Sequence, residues 1–148
     1  MGLFDFFKKK SSGEEKPIED GDKTVVQSDN TDDSAPGWEA IDAEFDRLYP
    51  DQPNPRHYGT LIKYMFGGPD PLDGISVYDA GEFWHFVGYG LSELYTKESS
   101  DPEYSGYGIE LTFKLKKSDN DEEEIKNGCG LLQYVARYIF KTGKVVLP

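Results

Sequence analysis

Chemistry in this chain would have to come from a short set of side chains. They are the histidines His57 and His85, the turn carboxylates Asp70, Asp73, Asp79 and Glu82, and the single thiol of Cys129. Two carboxylates close together can do acid–base work or hold a divalent cation. Histidine can join either task. A hydrolase or metal-dependent enzyme built on Asp70, Asp73, His57 and His85 is therefore one reading, and it requires the four to converge in one cleft. The spacing gives it no support. Neither histidine lies in an HExxH pattern, and there is no GxSxG elbow or Walker loop. The two GYG triplets, 88–90 and 106–108, do not lead from a strand into a helix start, as a phosphate loop must. Aspartates at turns ordinarily accept hydrogen bonds from nearby backbone amides. Cys129 falls on an apolar helix position, where a thiol is inert. With one cysteine, an internal disulfide and a cysteine-built zinc site are both excluded. No metal and no cofactor is expected.

These residues must be positioned by the elements around them. The stretch Gly67, Gly68, Pro69, Asp70, Pro71, Leu72 admits neither helix nor strand and forms a turn of fixed shape. Apolar parity before it (Tyr58, Ile62, Tyr64, Phe66) predicts a first strand over 58–66, and 74–78 predicts a second. The aromatic run 82–90 predicts a third. Ile109, Leu111, Phe113 and Leu115 alternate with polar residues and predict a fourth over 109–116. Between the third and fourth, 91–108 is a surface loop in which Leu91, Leu94 and Tyr95 could form a helical turn. Trp38, Ile41, Phe45 and Leu48 recur at helical spacing between Pro36 and Pro50. Three prolines then stiffen the connector 48–55. Ile125, Cys129, Leu132, Ala136 and Ile139 predict a second amphipathic helix ending near Lys141, with Gly143 as its cap. Gly128 and Gly130 weaken its first half. Residues 144–147 read as the start of another strand. This order predicts an α+β fold: a largely antiparallel sheet with helices packed on one face.

The chain has 148 residues, a formal net charge of −12 and a hydrophobic share of 36%, below that of a wholly globular chain. Residues 11–35 are polar and acidic and read as a disordered linker. Residues 36–148 form the folded domain. Residues 1–10 are apolar and aromatic (Leu3, Phe4, Phe6, Phe7), then basic (Lys8, Lys9, Lys10). That segment could make weak membrane contact through residues 3–10, which gives a surface-associated adaptor as a further reading. Its apolar residues precede its lysines, the reverse of a signal peptide. No apolar run is long enough to span a bilayer. The expected location is the cytoplasm. The negative charge argues against nucleic acid and suits a basic protein partner. Tyrosines favour interfaces; Tyr134 and Tyr138 flank the apolar stripe of the second helix, with Arg137 between them.

Five stretches, in order, carry a resemblance: LYPDQPNP (48–55), KYMFGGPDPLDGISVY (63–78), FWHFVGYGLSELY (83–95), SGYGIELTFKLK (105–116) and ARYIF (136–140). The sequence resembles the Suppressor of fused (SUFU) family over residues 38–144. The resemblance implies an α+β binding domain without catalytic activity. It implies that the tyrosine of the ARY motif, Tyr138, contacts a partner peptide. It also implies further strands beyond ARYIF, so the domain is expected to be incomplete at its C-terminus. Bacterial members resemble immunity proteins of polymorphic toxin systems. The resemblance and the acidic charge together point to an antitoxin that binds a toxin directly, with a basic nuclease as the expected partner.

Overall fold

The computed structural model describes residues 34–144. Readings that fall on residues 1–33, and the strand start beyond residue 144, lie outside the described residues. Helix α1 (Pro36–Leu48) is followed by strand β1 (Arg56–Gly59) and a single 3-10 turn (Tyr64–Phe66). Strands β2 (Gly74–Asp79), β3 (Phe83–Tyr89) and β4 (Thr112–Lys116) come next, then helix α2 (Asp121–Thr142). The four strands form one antiparallel sheet in the order β1-β2-β3-β4. Each strand pairs with its neighbour in sequence, the topology that short connections favour.

The α+β class and the antiparallel sheet hold, but the helices are not on one face. They flank the sheet on opposite faces, and strand parity gives the reason. On β2 and β3, Ile75, Val77, Trp84 and Phe86 meet Ile125, Leu132, Ala136 and Ile139 of α2. The alternate positions Tyr78, Val87 and Tyr89 meet Trp38, Ile41, Phe45 and Tyr49 from α1 and its C-terminal flank. Two strands with large apolar residues at both parities need two covers. On the α1 side the packing is aromatic: Trp38 stacks on Tyr89 with ring centroids 4.5 Å apart, and Tyr49 on Tyr78 at 4.8 Å. Leu48, placed by spacing in the apolar stripe, is exposed, and Tyr49 fills the place.

The first strand is also shorter than its alternation predicts. Pairing stops at Gly59, opposite Gly74. The Lys63 carbonyl then accepts from the N–H groups of Phe66 (2.9 Å) and Gly68 (3.1 Å), which curls 63–68 into the 3-10 turn. Leu61, Ile62, Met65 and Phe66 therefore stand out of the core. The stretch 91–108 contains no helical turn, although Leu91 and Leu94 are buried as its apolarity requires.

Both helix ends of α2 are closed. Asn120 accepts from the Glu123 N–H and donates to its carboxylate, a reciprocal cap. Gly143, at φ 64°, returns its N–H to the Ile139 carbonyl at 2.8 Å. The connector before β1 is held by one side chain. Gln52 donates to the Asp79 carbonyl and accepts from the Asp79 N–H, both at 2.8 Å. Its amide thus acts as one more rung of pairing on β2 beyond the point where β1 begins.

Candidate functional site

The turn 67–72 and α2 form one unit. Gly67 takes the left-handed conformation at φ 88° and ends the 3-10 turn. At Gly68 a Cβ would lie 1.9 Å from the Ile62 carbonyl oxygen, so no other residue fits. Leu72 is fully buried, and the Gln133 amide clasps its backbone: Oε1 accepts from the Leu72 N–H at 3.1 Å and Nε2 donates to the Leu72 carbonyl at 3.0 Å. One turn further along α2, Arg137 pairs with Asp70. The rings of Tyr64 and Phe140 meet edge-on at 5.0 Å and join the 3-10 turn to the end of the helix.

Around these attachments lies an exposed apolar surface. On α2, Leu131, Tyr134 and Tyr138 follow one another at spacings of three and four. Tyr134 is 68% exposed and Tyr138 50%. On the 3-10 turn, Met65 is 73% exposed and Phe66 74%. Of the residues singled out from sequence, Tyr134, Arg137, Tyr138 and Gly67 through Leu72 are thus gathered at the second half of α2. The parity of 61–66 predicts a strand and so hides the exposed ledge that Met65 and Phe66 form on the 3-10 turn. The signal was there in the glycines that follow it. Gln133 could not be found, because its partner lies 61 residues away.

The potentially catalytic residues are not gathered. His57 shares Nδ1 with the Ser76 hydroxyl at 2.9 Å and packs against Trp38 and Tyr89. His85 lies between Tyr49, whose hydroxyl is 2.7 Å from Nδ1, and Thr112. Burial lowers the pKa of both rings. Asp73 accepts from the Tyr95 hydroxyl at 2.7 Å and pairs with Lys63 at 3.3 Å. Asp70 is held by Arg137 instead. Both therefore bind distant side chains rather than their own turn. Asp79 does both, accepting from the Gly81 N–H at 2.9 Å and pairing with Lys117 at 2.6 Å. Burial pushes the Cys129 thiol up to about 12, far from a reactive thiolate. Among the described residues no cluster of three or more His, Cys, Asp or Glu side chains could hold a metal ion.

Comparison with known proteins agrees with this architecture. Residues 68–148 match the family model described as Suppressor of fused protein (SUFU). The chain belongs to the Suppressor of fused family. It is 40% identical over 119 residues to the human Suppressor of fused homolog, covering 72% of this chain and 25% of that protein, and the mouse homolog gives the same values. It thus spans a quarter of the length of the curated relatives it matches. Among solved structures it resembles a chain of the Sufu–Fu complex, with a TM-score of 0.65 and 36% identity over 76% of this chain and 56% of that one. It also resembles Drosophila Suppressor of Fused, with a TM-score of 0.63 and 36% identity over 76% of this chain and 31% of that one. Family membership supports a protein-interaction module. Among the described residues no helix is long and apolar enough to cross a membrane.

Proposed function

We propose that this SUFU-family domain is a non-catalytic module that binds a protein through the second half of α2 and the ledge beside it. Its biological role, in this reading, is that of an immunity protein neutralising a basic nuclease toxin by direct contact. The observation that carries the reading is the exposed apolar surface itself. Tyr134 and Tyr138 on the helix, and Met65 and Phe66 on the turn, are displayed to solvent on a scaffold pinned by Gln133–Leu72 and Arg137–Asp70. Rigid tyrosines contribute contact area at small entropic cost, and pre-organisation lowers the cost of binding. Arg137, engaged with Asp70, fixes the turn beside the tyrosines. The net charge of −12 favours encounter with a basic partner.

The test is calorimetric titration of the protein with a nuclease toxin encoded beside its gene, together with protection of cells expressing that toxin. Tyr138→Ala should weaken binding by roughly 30-fold or more, as for a central aromatic anchor. It should leave the thermal unfolding midpoint unchanged, because the ring is half exposed. Unchanged affinity would remove Tyr138 from the surface. Neither binding nor protection with any neighbouring toxin would sink the immunity role.

A further inference from the structure

A second surface lies at the far end of the sheet from the α2 ledge. Residues 51–55 of the connector and Arg56 of β1, with Val77 and Asp79 of β2 and Trp84 of β3, line a cleft of about 310 Å³. Its apolar walls are Pro53, Pro55, Val77 and Trp84, and Arg56, Asp51 and Asp79 stand among its polar lining. The volume is at the lower end of the range for ligand sites and suits a single side chain or a small molecule.

The charges around Trp84 are unevenly paired. Two cations lie over its ring, the Arg56 guanidinium 5.0 Å from the centroid and the Lys117 ammonium at 4.0 Å. Lys117 has its counter-ion in Asp79, at 2.6 Å. Arg56 has no carboxylate at ion-pairing distance among the described residues; its charge reaches Asp79 at longer range. Its planar, always-charged head rests on an aromatic face at the mouth of an apolar cleft, an arrangement suited to bidentate carboxylate recognition. The walls are held open independently of any ligand. Gln52 ties the connector to the Asp79 backbone by two hydrogen bonds, and the prolines fix its path.

We propose that this cleft binds a carboxylate with a short apolar stem, with Arg56 as its anchor and Pro53, Pro55, Val77 and Trp84 receiving the stem. Such a group is found at the C-terminus of a peptide ending in an aliphatic residue, and in a glutamate side chain. Asp51 and Asp79 also line the cleft; Asp79 is taken up by Lys117, which leaves Asp51 as the intramolecular competitor for Arg56. The site is separate from the α2 surface, so its test does not depend on that reading.

The experiment follows the indole N–H resonances of the full chain in 15N correlation spectra, with Trp38 as internal control. N-acetyl-leucine mimics a chain terminus and N-acetyl-glutamic acid α-amide a side chain; N-acetyl-leucine amide lacks the charge. Saturable shifts of the Trp84 signal are expected with at least one of the two acids at millimolar concentration, with Trp38 unmoved and the amide silent. The tighter acid identifies the source. Arg56→Ala should weaken binding about tenfold or more, and Arg56→Lys by less, since only the fork is lost. Asp51→Asn should tighten binding about two- to fivefold by removing the competitor. Circular-dichroism melts of each variant confirm that the fold is kept. Silence with both acids to about 50 mM, equal responses to acid and amide, retention of affinity in Arg56→Ala, or weaker binding in Asp51→Asn would each overturn the proposal.

Discussion

Phe86 occupies the space in which a side chain at Gly128 would begin. A Cβ there would lie 2.2 Å from Phe86 Cζ. The same ring stacks on Phe113, with centroids 4.7 Å apart and planes within 5° of parallel. Phe86 is fully buried and pinned from both sides. At Gly128 α2 thus lies too close to the Phe86 ring for any side chain, and the helix-weakening glycine is the condition for its packing.

Gly128→Ala should accordingly destabilise the domain. The helix gains roughly 1 kcal/mol of propensity, but a methyl group forced against a stacked ring costs about 1–3 kcal/mol or more. A lower urea midpoint with an unchanged slope is expected. Gly130→Ala is the control: nothing lies within 4 Å of its Cβ position, so that variant should be neutral or more stable.

Gln133→Ala removes both hydrogen bonds to Leu72 and leaves a peptide N–H and a carbonyl without partners beside a fully buried side chain. A loss of about 2–3 kcal/mol is expected, together with faster amide exchange at Leu72. Gln133→Glu should do no better, because a carboxylate cannot donate to the Leu72 carbonyl. If either variant matched the parent in both stability and exchange, the clasp would not be holding the turn.

The two histidines should make stability depend on pH. Burial lowers the pKa of both His57 and His85 from the ordinary 6.5, opposed at His57 by the charge of Asp42 and assisted at His85 by that of Lys114. The unfolded chain therefore binds more protons than the folded one below pH 6.5. Stability from these rings is fully present above that pH and is lost as pH falls through their depressed folded values. Thermal melting between pH 7.5 and 5 should show a falling midpoint, and the slope should flatten in His57→Asn and His85→Asn.

Glu93 titrates in a lower window. The N–H of Ser99, then that of Glu98 and the Ser99 hydroxyl, hold its carboxyl down at about 2, against an ordinary 4.5. Its contribution is present above pH 4.5 and disappears as pH falls toward 2. Protection of the Glu98 and Ser99 amides against exchange, relative to their intrinsic rates, should fall across that interval, and Glu93→Gln should abolish that change.

The parts of this structure that sequence reveals are those with local causes. Lys114 and Lys116 alternating with Phe113 and Leu115 mark β4, although it begins at Thr112 and not at Ile109 as the alternation predicts, and the spacing from Ile125 to Ile139 marks α2. Tyr58, Ile62, Tyr64 and Phe66 share the parity of a strand, yet Gly67 and Gly68 permit a tight turn that leaves most of these side chains in solvent. Apolar residues displayed for contact follow the same pattern as apolar residues buried in a core. Which face each helix covers is equally hidden, because β2 is apolar at Ile75 and Val77 on one face and at Tyr78 on the other. Tyr138 was legible as a candidate through the family motif, whereas Gln133, Gln52 and Arg56 act through partners far away in the chain.

Gln52 has a mechanical consequence. The chain between α1 and β1 is rich in prolines, which cannot donate to a neighbouring strand, so a side chain makes the link instead. Its two parallel bonds to Asp79 lie between the helix and the first backbone rung of the sheet. Tension applied from the N-terminal side would load that amide before it reached β1. Gln52 is thus a strain relief, a single side chain standing between a pull on α1 and the register of the sheet.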